Sequence, residues 1–343
     1  MKIQSFGKLP DGRDASLYVM ENKSGAYACV TNVGASIVSI FVPDKNGKLE
    51  DVVLGYDCAE KYLTKGAYHG ATVGRVANRI EDAWFELEGV RYDLKPNYNG
   101  RHMLHGGEIG LDSKLFDTTV EGDSVVMKTT LPDGEDGFPG NIDITVKYSF
   151  DDNCRLNIEY IAESDKTTPV NLINHSYFNL NATGDICSHE LQINSNEYYP
   201  LSENGMIHGE KKPARGTMDF GCVKPVGRDI DADCPQIKLA GGYDHNYFLQ
   251  EGNEFILAAS IKAPESGRIM RVYTDMPGIL FYSGNFLQTH EVEGKLGRAY
   301  KSREGFCLET NYCPNALKCP QVKQPILKKG EVYRHKTIYE FAL

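Results

Sequence analysis

Residues able to carry acid/base chemistry cluster first between Pro169 and Leu180. There Pro169-Val170-Asn171-Leu172-Ile173 reads as a strand and runs into Asn174-His175-Ser176-Tyr177-Phe178-Asn179-Leu180. The second stretch sets two amides, an imidazole, a hydroxyl and a phenol among apolar side chains. On an extended chain neighbours alternate, so His175 and Tyr177 leave one face while Ser176 and Phe178 leave the other. An imidazole with an ordinary pKa of about 6.5 both gives and takes a proton near neutral pH, which makes His175 a candidate general acid or base. A core histidine held by neighbouring amides competes with that reading, because a buried polar group without a partner costs roughly 1 to 3 kcal/mol.

Four further clusters carry polar groups. Gly305-Phe306-Cys307-Leu308-Glu309-Thr310-Asn311 is strand-like and places the Glu309 carboxylate after an apolar run, as a functional group or as the partner of an arginine. In Gly74-Arg75-Val76-Ala77-Asn78-Arg79-Ile80, Asn78 and Arg79 could donate to sugar hydroxyls, and an arginine salt bridge inside a loop is the structural alternative. In His102-Met103-Leu104-His105-Gly106-Gly107 the paired glycines permit positive φ or a close backbone approach. The two histidines three apart suggest zinc, but the glycines argue against a helix and no third ligand follows at a matching spacing, so no metal site is assigned. His105, beside the glycines, is the stronger functional candidate. Gly241-Gly242-Tyr243-Asp244-His245-Asn246-Tyr247 offers Asp244 as an acceptor for two adjacent hydroxyls, or as a turn aspartate. No G-x-G-x-x-G after a strand, Walker loop or G-x-S-x-G elbow occurs, which removes the common nucleotide and acyl-transfer readings.

The elements that must position these groups read as strands. Ala26 to Pro43 is β-branched and broken at Gly34, which predicts two strands with a bend or bulge. Trp84 to Leu94 predicts a hairpin turning at Glu88-Gly89, Ile142 to Ile161 one turning at Asp151-Asp152-Asn153, and Phe255 to Tyr273 one turning near Glu265-Ser266-Gly267. Glu331 to Leu343 is expected to close the sheet. Helical periodicity is short, with its best candidate around Cys58 to Tyr62. The expectation is an all-β fold, a large antiparallel β-sandwich with few short helices, in a single domain over residues 1–343 with no repeat or linker.

Composition narrows the partners. The 343 residues are 41% hydrophobic and 24% charged, as in a chain that folds throughout. A net charge of −10 without a basic stripe makes nucleic acid and anionic membrane poor partners and favours a neutral or cationic small molecule. Met1 to Gly7 lacks the apolar core of a signal peptide, no run reaches the roughly 20 apolar residues of a membrane helix, and the expected location is cytoplasmic. Nine scattered cysteines without a C-x-x-C pair suit reduced thiols, and the even spacing of Cys307, Cys313 and Cys319 matches no metal template.

Taken together, GRVANRI at 74–80, LHGG at 104–107, NHSYFNL at 174–180, YDHNY at 243–247, PG with FYSGNFL within 277–287 and LET at 308–310 resemble the aldose 1-epimerase family, in family order over nearly the whole chain. The resemblance implies a large β-sandwich with a sugar cleft on one face and interconversion of the α and β anomers of free hexoses such as galactose or glucose. It implies no metal or organic cofactor. It assigns His175 as the acid for the ring oxygen and Glu309 as the base for the anomeric hydroxyl. Asn78, Arg79, His105 and Asp244 resemble the hydroxyl-binding residues, and Tyr177, inside the catalytic motif, is placed with the substrate-binding set. Leu280, Asn311 and the 200–213 segment, with Met206-Ile207-His208-Gly209 where the family usually has Pro-Thr-Gly, depart from the family pattern and leave the preferred sugar open. A non-catalytic sugar-binding module on the same fold would need no paired acid and base, and an epimerase for phosphorylated sugars would call for added Arg or Lys. A disaccharide epimerase, a monomer and a homodimer are all compatible with the sequence.

Overall fold

A computed structural model describes residues 1–64, 66–289 and 293–343. Antiparallel strands dominate, and the α-helices among the described residues are the short segments Ala59–Tyr62 and Pro235–Ala240. A nine-stranded sheet runs Asp117–Glu121, Ser124–Leu131, Ile142–Phe150, Arg155–Ser164, Val332–Ala342, Ile269–Thr274, Ile256–Lys262, Glu190–Ile193, Lys224–Pro225. One five-stranded sheet is built from the first five strands, Lys2–Lys8 to Leu49–Asp51, in sequence order. A second orders Lys212–Pro213, Glu197–Tyr199, Asp244–Phe248, Gly278–Tyr282 and Cys307–Asn311.

The alternation visible in the sequence becomes the two faces of these sheets. In Ile142–Phe150 every second residue is buried, and Ile144, Val146 and Tyr148 enter the main core with Ile158 and Tyr160 of the next strand. Ile279, Phe281, Tyr247 and Leu308 of the second five-stranded sheet enter the same core. Burying each such side chain contributes roughly 1.5 to 3 kcal/mol. The intervening residues must leave the opposite face. Register sets Asp244 opposite Tyr282 and Tyr282 opposite Cys307, then Asn246 opposite Leu280 and Leu280 opposite Glu309. The inner alternation that fixes this sheet on the core therefore presents Asp244 and Glu309 on one outer surface.

The anticipated hairpins form: Trp84–Leu87 with Val90–Asp93, Ile142–Phe150 with Arg155–Ser164, and Ile256–Lys262 with Ile269–Thr274. Tyr27–Thr31 and Ser36–Pro43 flank Gly34, whose φ is +63°. The C-terminal strand joins the nine-stranded sheet in its interior, between Arg155–Ser164 and Ile269–Thr274. The helix Pro235–Ala240 was not anticipated, although Pro235 opens it and Gly241, at φ +67°, ends it, which is the usual punctuation of a helix.

Candidate functional site

The strand Ile173–Asn174 pairs with Thr72–Val73, and the backbone N–H of His175 continues that ladder by donating to Ala71 at 2.9 Å. Beyond it the alternation holds: Phe178 packs on Phe306 and Tyr339 in the core, while the rings of His175 and Tyr177 stand side by side, centroids 5.1 Å apart. Asn174 braces the segment, donating to the Gly70 carbonyl and accepting from the Ser176 N–H. The heptapeptide thus combines core and site, each on its own face.

A cleft of about 240 Å³ opens over this face, and it brings together all seven residues proposed from sequence: Asn78, Arg79, His105, His175, Tyr177, Asp244 and Glu309. A larger groove of about 670 Å³, between Met20–Lys23 and Phe150–Asp152, has no histidine and no buried carboxylate in its walls. Size therefore does not pick out the chemistry, whereas the convergence of titratable groups does.

At the floor of the cleft, His175 Nε2 lies 3.5 Å from Glu309 Oε1, and both side chains are almost fully buried. Burial first, and then the charge of Asp244, hold the Glu309 carboxyl well above its ordinary range, with Arg79 acting in the opposite direction. The Glu309 Oε2 atom has no hydrogen-bond partner among the described residues. Cys307 Sγ stands 3.7 Å from His175 Nδ1. His175, Cys307 and Glu309 are also the group among the described residues whose donor atoms converge closely enough to hold a metal ion.

The raised Glu309 pKa has a direct consequence for stability. A carboxyl whose pKa the fold raises matches the unfolded chain at low pH, where both are protonated. It weakens folding as pH rises above the usual carboxylate range, because the unfolded chain then releases the proton more readily. Glu309→Gln is accordingly expected to melt at a higher temperature than wild type at about pH 8. The difference should shrink toward zero at about pH 4, near the ordinary glutamate pKa. Thermal circular dichroism at the two pH values measures it, and a variant less stable at the higher pH would contradict this electrostatic account.

The opposite wall comes from the 74–80 loop and the 102–107 turn. Arg79–Ile80 pairs with Met103–Leu104, the His105 N–H donates to the Asn78 carbonyl at 3.0 Å, and the Asn78 N–H donates to His105 Nδ1 at 3.2 Å. Burial, then the charges of His175 and Arg79, push the His105 pKa well below the usual imidazole value. A neutral ring that accepts at Nδ1 carries its hydrogen on Nε2, so His105 is a hydrogen-bond donor. Gly106 and Gly107 have φ of +85° and +105°, as the paired glycines suggested. His102 is not part of this site; its Nδ1 accepts from the Asp82 N–H, and the His102/His105 pair forms no joint ligand set.

Arg79 Nη2 donates to Asp244 Oδ2 at 3.4 Å, and its guanidinium lies 5.1 Å from the Tyr98 ring centroid. Burial alone would lower the Arg79 pKa, but Asp244 and Tyr98 hold it above the ordinary value. Arg75, from the same motif, turns away from the cleft, where it is buried and donates to the Pro139 carbonyl and Thr168 Oγ1. The ion pair that the motif allowed is thus made by Arg79, with Asp244, rather than by Arg75.

Residues missed by sequence reasoning are mostly aromatic. Tyr68, Tyr98, Tyr282 and Phe286 line the cleft, and the Tyr68 ring lies 4.6 Å from that of His105 and 5.9 Å from that of His175. Tyr282 and Phe286 sit within the FYSGNFL stretch, but Tyr68 and Tyr98 fall in loops with no distinguishing pattern. Leu280 and the segment bearing Leu201, Met206 and Ile207 border a small pocket that adjoins the cleft through Asn78, Arg79 and Asp244. Asn311 lies farther along its strand, opposite Gly278, and does not line the cleft.

The aldose 1-epimerase family model matches residues 16–340. Galactose mutarotase from Rattus norvegicus is 40% identical over 342 residues, 98% of this chain and 97% of that protein. Aldose 1-epimerase from Escherichia coli K12 is 35% identical, covering 97% of this chain and 96% of its own length. Among solved structures, an aldose epimerase homologue from C. elegans superposes with a TM-score of 0.88 at 27% identity, over 96% of this chain and 99% of that one. Galactose 1-epimerase from Lactobacillus acidophilus NCFM gives 0.85 at 26% identity, over 99% and 98%. A sandwich of this form, a cleft floored by an imidazole and a carboxyl, and relatedness along almost the whole length lead to one conclusion: the chain belongs to the aldose 1-epimerase family.

Proposed function

We propose that the protein interconverts the α and β anomers of a free aldohexose, with Glu309 and His175 as the base and acid. The observation that carries this reading is the 3.5 Å contact between His175 Nε2 and Glu309 Oε1 in the cleft floor. Opening a cyclic hemiacetal removes a proton from the anomeric hydroxyl and supplies one to the ring oxygen. Both oxygens are bonded to the same carbon, so the two protein groups need to stand close together rather than on opposite sides of a ring. Glu309 takes the hydroxyl proton, the C1–ring oxygen bond breaks as the C1 carbonyl forms, and His175 protonates the departing oxygen. Rotation about C1–C2 then exposes the other face of the carbonyl, and the same two groups run in reverse. The pair holds one proton before and after opening, which moves it from imidazole to carboxyl. The raised pKa of Glu309 makes its carboxylate a stronger base than an ordinary one.

Hydroxyl recognition falls to the other wall in this reading. His105 donates through Nε2, Asp244 accepts from adjacent hydroxyls, Arg79 and Asn78 contribute further donors, and Tyr177 braces the His175 ring. Among the described lining residues Arg79 is the cleft's one lysine or arginine, and it already faces Asp244, which favours a neutral sugar over a phosphorylated one. Arg79→Ala and Asp244→Ala are expected to raise KM about tenfold or more with a smaller change in kcat, because contacts made equally in ground and transition states act on binding. Polarimetry on freshly dissolved α-glucose and α-galactose tests both the activity and this split. No acceleration over the spontaneous reaction with either sugar, or with xylose and maltose, would overturn the proposed function.

A further inference from the structure

Three donors of different chemistry meet where His175 and Glu309 line the cleft and Cys307 lies buried beside them. His175, Cys307 and Glu309 each offer one ligand atom, all within 4.8 Å of one another. Sulfur and nitrogen ligands at about 2.3 and 2.0 Å from a tetrahedral zinc ion stand about 3.5 Å apart, and Cys307 Sγ already lies 3.7 Å from His175 Nδ1. Glu309 is 2% exposed, and its Oε2 has no hydrogen-bond partner among the described residues, an arrangement that a cation would satisfy. We propose that this floor binds one borderline or soft divalent cation, such as Zn²⁺ or Cd²⁺, through Cys307 Sγ, a ring nitrogen of His175 and a carboxylate oxygen of Glu309, and that the bound ion reversibly blocks the site against sugar.

The charges balance in such a complex. A thiolate, a carboxylate, a neutral imidazole and a dication sum to zero, which suits a buried position better than either anion alone. Binding forms the metal–sulfur bond and releases the Cys307 thiol proton to solvent, together with the Glu309 proton when that group is protonated. Affinity therefore rises with pH. Mg²⁺ and Ca²⁺, which take oxygen ligands, have little use for a thiolate and an imidazole. The ion occupies the acid and the base together, so the loss of activity, though not the binding, rests on the roles proposed above.

Co²⁺ serves as a spectroscopic probe and Zn²⁺ as the inhibitor, both with the full chain. Expected are a thiolate-to-cobalt charge-transfer absorption that saturates at one equivalent and is displaced by Zn²⁺. Zn²⁺ should also slow mutarotation in a way relieved by EDTA and by excess sugar, raising apparent KM while kcat holds. Cys307→Ala should lose the absorption and need at least tenfold more Zn²⁺ for half inhibition of its own metal-free rate. Glu309→Gln, which keeps the side-chain shape, should retain the absorption with about tenfold weaker affinity, and it secures the test if Cys307→Ala fails to fold. Absorption that persists in Cys307→Ala, as from the exposed thiol of Cys222, would overturn the proposal. So would inhibition unaffected by sugar, or activity that EDTA abolishes and Zn²⁺ restores. Cobalt bound through Cys307 in a protein without mutarotation would uphold the metal site and sink the proposed function instead.

Discussion

Glu309→Gln and His175→Asn are each expected to lower the rate of mutarotation by roughly 10²- to 10⁴-fold, the range of one positioned acid or base. The two side chains touch at 3.5 Å and exchange protons with two oxygens on one carbon, so neither step proceeds without the other. The double variant should then lie close to the slower single variant rather than at the product of the two losses. Polarimetry on wild type, both singles and the double closes the cycle, with circular dichroism to show that each is folded. Fully multiplicative losses would make the two residues independent contributors, and near-normal activity in either single would remove that residue from the chemistry. Glu309→Gln is the more telling single variant, because the expected gain in stability at alkaline pH separates lost chemistry from lost structure.

The second large effect is expected at Gly106→Ala. A Cβ there would sit 2.0 Å from the Gly74 carbonyl oxygen and 2.5 Å from the Arg75 nitrogen, at a φ of +85°. The Gly74 oxygen is itself held, accepting from the Leu111 N–H at 3.1 Å, so the turn rather than the wall must give way. A residue with a side chain at positive φ costs on the order of 1 to 3 kcal/mol before the clash is counted. The displaced turn carries His105 and, through the paired His105 and Asn78 backbones, the Arg79 wall. A misplacement of about 1 Å can cost about 10²-fold in rate, so both melting temperature and kcat/KM should fall. Gly100→Ala, in open space at φ +64°, carries the backbone penalty without the clash and is the matched control. Equal effects at the two positions would show that close packing against Gly74 does not matter.

Local chemistry made much of this protein legible. Period-two alternation identified the strands because one face of each meets an apolar core, and Glu88-Gly89 marked its turn because both residues take positive φ. The same alternation separated His175 and Tyr177 from Phe178. The family motifs pointed to seven residues that the fold brings into one cleft. Pairing between distant strands was not legible. Alternation says which side chains share a face but not which strands lie beside it, so the place of the C-terminal strand between Arg155–Ser164 and Ile269–Thr274 could not be read locally.

Only the tertiary structure separated Arg75, bound to the Pro139 carbonyl, from Arg79, bound to Asp244. It alone set Glu309 against His175 and Cys307, and brought Tyr68 and Tyr98 from featureless loops to the cleft wall. The pKa of Glu309 likewise depends on burial and on Asp244, neither of which is a property of its own strand. Sequence determined which groups were available and which way each strand turned them. Long-range register determined which groups meet, because a hydrogen-bonded ladder joins residues far apart in the chain at a spacing that no local pattern encodes.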